Sequence, residues 1–168
     1  AIRGGRPETL NLRDIVESFV RFREEVITRR SKFELARARD RAHLLLGLVI
    51  AVTNMDEVVH IIRGSATPAG ARASLLAREW PVAEIAPYIA LVEAVEREIE
   101  GDSYRLSDPQ VRAILDLRLH RLTALGRDEI AGELRELAAS IAELLEILGD
   151  RRKLYAVMRA EFDEIADA

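Results

Sequence analysis

Residues 130–148 read IAGELRELAASIAELLEIL, and this stretch decides the fold. Apolar side chains recur there in alternating steps of four and three residues, at Ile130, Leu134, Leu137, Ile141, Leu144 and Leu148. A heptad pattern of this kind predicts a helix that packs along one seam against another helix. After one break at Arg151, the series continues at Tyr155, Met158, Phe162 and Ile165. Gly149-Asp150 either kinks this helix or ends it and caps the next one.

A second long helix is predicted at the start of the chain. Residues 12–53 contain no proline and one glycine, Gly47, and Asn11 precedes them as a plausible helix cap. Apolar residues recur with helical spacing at Leu12, Ile15, Phe19, Phe22, Val26 and Phe33. Residues 44–52 are apolar all round, which indicates a buried helix end. A helix of this length extends for about 60 Å, more than a small domain needs.

The two long helices and the shorter elements between them predict an all-α fold. We expect a long antiparallel two-helix coiled-coil arm with a small helical globular knob at its tip. The predicted parts are an N-terminal turn or linker remnant, an outgoing arm helix, the knob and a returning arm helix, at residues 1–10, 11–53, 54–126 and 127–168. The chain begins without Met, and both ends look cut, so we expect an excised segment.

Within the predicted knob, local patterns place several short helices. Thr67-Pro68 starts one, with Thr as the cap and Pro in the first turn, and it ends near Trp80-Pro81. Ser107 and Gln110 have the spacing of a capping box, and the helix that follows is expected to continue to about residue 126. Residues 82–104 carry the weakest pattern, with a helix suggested over 88–99.

Composition bounds the class of protein. The 168 residues are 49% hydrophobic and 5% aromatic, which is typical of helices that pack along apolar stripes. The net charge of -4 does not suggest a nucleic-acid-binding domain overall. Cysteine is absent, which excludes disulfides and thiolate metal sites. No apolar run approaches the roughly 20 residues of a membrane helix, and no signal peptide is visible, so we expect a cytoplasmic protein. His43, His60 and His120 lack metal-ligand spacing, and we predict no catalytic, cofactor-binding or metal-ligating residue.

Three parts of the chain, in order, resemble the coiled-coil and exit-gate segment of the DNA-cleaving subunit of bacterial type IIA topoisomerases. The first carries NLRDI, FVRFR, VITRR and ARDRAH within residues 11–43. The second is AILDLRLHRLT at residues 113–123, and the third covers residues 133–149. The match extends over residues 9–63 and 106–166, and it is poor between them. The TRR and RDR runs look more like gyrase than like topoisomerase IV.

The resemblance implies a role without catalysis in this segment. In the family, a tyrosine on an upstream winged-helix domain cleaves DNA, and Tyr88, Tyr104 and Tyr155 do not lie in its Arg-Tyr context. Tyr155 is expected to pack on the seam. The segment would supply the C-gate, which closes the cavity around the transported duplex and opens to release it. The implied partners are a second copy bound through the knob, a transient DNA duplex and the ATPase subunit, with no membrane. ATP and Mg²⁺ would act on other domains, and this segment would hold no cofactor.

Two sets of residues are candidates for these contacts. A two-fold dimer interface is predicted at Leu45, Leu48, Val49, Val52, Ile114 and Leu117, and the alternative is that these residues fill the core of the knob. Arg29 and Arg30 are the candidates for facing DNA, and the alternative for such helix charges is a solvated, ion-paired face.

Two other functions compete with the gate. The heptads also suit a free-standing coiled-coil module that binds partner helices. The arginines of the first helix also suit a nucleic-acid-binding arm, although the overall acidity argues against that as the main role.

Overall fold

The computed structural model of the chain describes residues 2–3, 6–7, 11–82, 84–93, 103–117 and 124–167, and most of them are helical. The helices are α1 (Leu12–Thr53), α2 (Met55–Gly64), α3 (Pro68–Ala77), α4 (Ala86–Val92), α5 (Asp108–Leu115), α6 (Ala124–Gly149) and α7 (Arg151–Asp167). The strands are β1 (Ile2–Arg3), β2 (Arg6–Pro7), β3 (Glu79–Pro81) and β4 (Ser103–Arg105). The predicted all-α class with a long arm helix is confirmed.

The chain forms two compact units. Unit 1 consists of Ala1–Leu35 and Glu143–Ala168, and unit 2 consists of Ala36–Ala142. Helices α1 and α6 each contribute residues to both units. Unit 2 is therefore larger than the knob predicted at residues 54–126, because it includes the second part of α1 and most of α6.

The core of unit 1 joins α1 to α7. Ile27 is fully buried against Leu154 and Met158, and partly buried side chains surround them, namely Val20, Ile147, Val157 and Phe162. Asn11 caps α1 as predicted, since its Oδ1 accepts a hydrogen bond from the Asp14 backbone N–H at 2.9 Å.

The predicted apolar face of α1 is wrong for this part of the helix. The buried positions are Ile27, Ser31 and Leu35, whereas large side chains of the predicted face are more than half exposed, at Leu12, Ile15, Phe19, Phe22 and Phe33. Helical spacing alone cannot tell which of two apolar stripes will find a neighbour. The contacts with α7 select the stripe that contains Ile27.

The second long helix ends where its apolar series breaks. Helix α6 ends at Gly149, and the Asp150 carboxylate accepts a hydrogen bond from the Arg152 backbone N–H at 2.9 Å. Of the two predicted outcomes, an end followed by a new cap is therefore correct. Beyond the break, the predicted register is correct at two of its four positions. Met158 is buried and Phe162 packs against the same core, as predicted, whereas Tyr155 and Ile165 are 39% and 70% exposed, so the register is wrong at these two positions.

Unit 2 has a larger core built from several short elements around the second part of α1. Its largest fully buried side chains include Trp80, Leu45, Leu46, Leu75 and Ile89. Trp80 lies on β3, which pairs antiparallel with β4 with Trp80 opposite Tyr104. This ladder was not predicted, since strands of three residues are too short to show a period of two.

Caps predicted from sequence begin two of these helices. Thr67 Oγ1 accepts a hydrogen bond from the Gly70 backbone N–H at 3.1 Å at the start of α3. Ser107 and Gln110 form the predicted capping box at the start of α5. Helix α5 ends at Leu115, earlier than expected, and Leu117 follows it in a non-helical position. The rest of the helix predicted to residue 126 lies partly outside the described residues, as do residues 94–99 of the helix suggested over 88–99.

Candidate functional site

Most of the predicted interface residues fill the interior of unit 2. Between 0% and 8% of each side chain is exposed at four of them, Leu45, Leu48, Val52 and Ile114. These residues already contact their own chain, so they have little surface to offer a partner. The alternative stated for this set, a role in the core, therefore describes these four positions.

Val49 and Leu117 differ from the other four because both are half-buried. Val49 lies at the wall of a cavity of about 210 Å³ together with Ile50, Thr53, Pro81, Val82, Glu84 and Ile85. Thr53, Pro81 and Glu84 are exposed at this site, whereas Ile50 and Val82 are buried. The cavity, which we call the Val49 cavity, is an apolar depression with a polar rim on the surface of unit 2.

A hydrogen-bonded network of polar side chains was not predicted. His43 on α1 places Nδ1 2.7 Å from Glu93 Oε1 and Nε2 2.6 Å from Ser107 Oγ. The Tyr104 hydroxyl donates to the same Glu93 oxygen at 2.8 Å. Gln110, which is fully buried, donates from Nε2 to the His43 backbone carbonyl at 2.7 Å. Its Oε1 accepts from the Ser107 backbone N–H at 2.8 Å.

Hydrogen bonds connect Ser107 to His43 and His43 to Glu93, which is the connectivity of the serine, histidine and carboxylate in a hydrolase triad. Ser107, however, is the N-cap of α5 and is held in the capping box with Gln110. His43 in turn is held at both ring nitrogens. Among the described residues, every buried side-chain nitrogen or oxygen has a hydrogen-bond partner. A fully satisfied network of this kind fixes the position of α1 against α5 and β4, and we assign it that structural task.

Close backbone packing accompanies the network. A Cβ atom added to Gly47 would lie 2.7 Å from Gln110 Cβ and 2.9 Å from Gln110 Cγ. The glycine thus allows α1 to approach α5 more closely than any other residue would. The single glycine that the sequence shows inside the long helix is explained by this contact.

The two candidate DNA-facing arginines have different surroundings in unit 1. Arg30 Nη2 lies 2.6 Å from Glu161 Oε1, and its Nε lies 3.9 Å from Glu34. Arg23 holds the other Glu161 oxygen at 2.7 Å. These hydrogen bonds, that from Arg30 first, hold the pKa of Glu161 below its usual range. Arg29 is exposed and lines a cleft with Thr28 and Lys32.

Tyr155 does not pack on the seam as predicted. It is 39% exposed, and its hydroxyl accepts a hydrogen bond from Arg151 Nε at 3.1 Å. The hydrogen bond between Tyr155 and Glu24 is the main cause that lowers the pKa of Glu24, and Arg151 adds to it. Tyr155 therefore belongs to a polar cluster at the surface of unit 1.

Among the residues that the structure describes, no group of three or more His, Asp or Glu side chains is arranged to hold a metal ion. No single helix there is long and apolar enough to cross a membrane, although α1 and α2 taken together across an 89° bend pass by length and composition. The apolar residues 45–48 of that pair are buried within unit 2.

A 42-residue helix that contributes residues to two units is typical of a coiled coil or an arm. Comparison with known proteins identifies the family. Residues 1–163 match the family model of the DNA gyrase/topoisomerase IV A subunit, and the chain belongs to this family.

Individual relatives show how much of such a protein the chain represents. It is 50% identical over 162 residues to the DNA gyrase A subunit of Granulibacter bethesdensis, with 96% of this chain and 17% of the relative covered. With the Haemophilus influenzae protein of the same name it is 43% identical over 173 residues, which cover 98% of this chain and 19% of the relative. With the DNA gyrase A subunit of Rickettsia felis it is 40% identical over 167 residues, which cover 99% of this chain and 18% of the relative. The chain thus spans less than a fifth of the length of these relatives.

Proposed function

We propose that this chain is the exit gate, or C-gate, of a bacterial type IIA DNA topoisomerase. Two copies would pair through unit 2, close the cavity that holds the transported duplex, and separate to release it. Membership of the family of gyrase and topoisomerase IV A subunits is the observation that carries the proposal. The cleavage chemistry, ATP, Mg²⁺ and the ATPase subunit would belong to parts of the enzyme outside this chain.

The Val49 cavity is the surface that best suits the two-fold contact. A homodimer contact around a two-fold axis uses the same patch on both copies, so the patch must be self-complementary. The depression suits such a patch, because apolar Val49 and Ile85 are half-buried there and Thr53 and Pro81 are exposed beside them, so two copies can bring the same residues together. Its position at Val49 keeps one of the sequence-predicted contacts, whereas Leu45 and Leu48 are buried in the interior of unit 2.

A gate must open and close without unfolding. The hydrogen-bonded network of His43 and Gln110, together with the close contact at Gly47, fastens α1 to α5 inside unit 2. Dimer contacts on unit 2 can then be made and broken while its interior stays unchanged. The length of α1, about 60 Å, suits an element that converts a hinge motion into a large displacement.

The experiment that tests this role separates DNA cleavage from strand passage in a full-length protein that carries this segment. Thr53→Arg places a charge at the rim of the Val49 cavity, and Ala66→Arg places the same side chain at another exposed position of unit 2. We expect Thr53→Arg to reduce supercoiling while DNA cleavage continues, and Ala66→Arg to change neither. Supercoiling unaffected by both changes, or lost equally with both, would contradict a gate at this surface.

A further inference from the structure

A cleft on unit 1 carries a pair of basic side chains. Its volume is about 350 Å³, and it is lined by Glu24, Glu25, Thr28, Arg29, Lys32 and Leu154. Arg29 and Lys32 are exposed and lie three residues apart on α1, so they are neighbours on the helix surface. We call this feature the basic cleft.

The cations of the basic cleft differ from three arginines of α1 that are engaged in ion pairs. Arg13, Arg23 and Arg30 each hold a carboxylate, at distances of 3.1, 2.7 and 2.6 Å. Among the described residues, no carboxylate oxygen lies within 4.0 Å of a side-chain nitrogen of Arg29 or Lys32, so neither forms an ion pair there. Their positive charges are therefore available to an external anion without breaking a contact of the folded chain.

The carboxylates of the cleft do not cancel this charge equally. Glu24 is held by Arg151 at 3.2 Å and by the Tyr155 hydroxyl, so its charge is compensated from the other side. Glu25 is exposed and lies one turn before Arg29 without an ion pair of its own in the described structure. An anion that enters the cleft would meet two cations, the Thr28 hydroxyl and one competing carboxylate.

We propose that the basic cleft contacts the phosphodiester backbone of duplex DNA through Arg29, Lys32 and the Thr28 hydroxyl, and that Arg30 takes no part. The inference rests on the proposed function, in which a duplex passes the gate. Arginine, lysine and threonine are common donors to phosphate oxygens, and such contacts carry no base sequence. Two cations opposed by Glu25 give a weak and salt-sensitive contact, which suits a duplex that is held only transiently.

The inference is tested by fluorescence anisotropy of a labelled duplex of about 20 base pairs, of arbitrary sequence, titrated with this chain over a series of salt concentrations. Replacing Arg29 and Lys32 together by Gln is expected to lower the slope of log K against log salt by about 1.8, since each neutralised phosphate contributes about 0.9. Arg30→Gln is the matched control and leaves the slope unchanged. Glu25→Gln strengthens binding, because it removes the competing charge.

The outcomes separate this inference from the gate itself. If the double variant keeps the affinity and slope of the unaltered chain, or if the unaltered chain does not bind DNA at low salt, the basic cleft is not a DNA contact. An equal loss with Arg30→Gln would also overturn it, since the effect would then follow overall charge. Light scattering on the same samples reports the dimer independently, so a dimer without DNA binding refutes only this inference. A monomer that binds DNA through Arg29 and Lys32 refutes only the dimeric gate.

Discussion

Replacing Gly47 by Ala tests whether the close approach of α1 and α5 stabilises unit 2. The new Cβ would lie 2.7 and 2.9 Å from Gln110 Cβ and Cγ, and 3.4 Å from its Cα. The first two distances are shorter than carbon atoms tolerate. Gln110 cannot turn away, because hydrogen bonds at both ends of its amide hold it. The two helices must therefore separate by several tenths of an ångström.

Two opposing effects decide whether Gly47→Ala stabilises or destabilises unit 2. Alanine is the better helix former by about 1 kcal/mol, so helix propensity alone predicts stabilisation. Overpacking costs about 1 to 3 kcal/mol, and the rigid surroundings of Gln110 place this site near the upper end. We expect Gly47→Ala to lower the free energy of unfolding by about 2 kcal/mol. Gly64→Ala is the control, since nothing lies within 4 Å of its added Cβ, and it is expected to stabilise by about 0.4 to 1 kcal/mol.

The single tryptophan provides the assay. Trp80 is fully buried in unit 2, so its fluorescence during urea denaturation reports the unfolding of that unit. With a slope of about 2 kcal/mol per molar urea, Gly47→Ala should shift the midpoint down by about 1 M. A midpoint that stays the same or rises would refute the role given to the α1–α5 contact.

Two further variants test the polar contacts, one in each unit. Gln110→Leu should lower the free energy of unfolding of unit 2 by about 1 to 3 kcal/mol, because it removes the hydrogen bonds of the buried amide to the His43 carbonyl and to the Ser107 backbone N–H, and an unchanged urea midpoint would contradict this. The lowered pKa of Glu161 means that its ion pairs with Arg23 and Arg30 stabilise the fold above the unfolded pKa of the carboxyl, and that this stability is lost as the pH falls through the folded pKa. Glu161→Gln should therefore reduce the drop in melting temperature between pH 7 and about pH 3, followed by far-UV circular dichroism, and an equal drop in both proteins would count against the ion pairs.

The elements that sequence predicted best are those with a local cause. The caps at Asn11, Thr67 and Ser107 depend on residues within three positions, so the sequence contains the whole interaction. The buried positions Ile130, Leu134 and Ile141 follow from one unbroken heptad series. The β3–β4 ladder was missed for the opposite reason, since it joins two three-residue strands that are far apart in the chain.

The candidate site was less predictable because its geometry depends on contacts between distant residues. Which apolar residues of α1 reach the surface depends on what the rest of unit 2 covers, and this left Val49 available but not Leu48. The network joins His43 to Glu93 and Ser107 across 50 and 64 positions, and no spacing rule connects them. In the same way, the short ion pair with Glu161, 131 positions away in the chain, distinguishes Arg30 from Arg29.

The central claim is that two copies of this chain pair through unit 2, and the solution mass tests it most directly. Light scattering over a concentration series should show a dimer that dissociates on dilution. Thr53→Arg should give a monomer with the Trp80 emission of the unaltered chain, and Ala66→Arg should remain a dimer. A monomer at every concentration, or a dimer that persists in Thr53→Arg, would contradict a gate formed at the Val49 cavity.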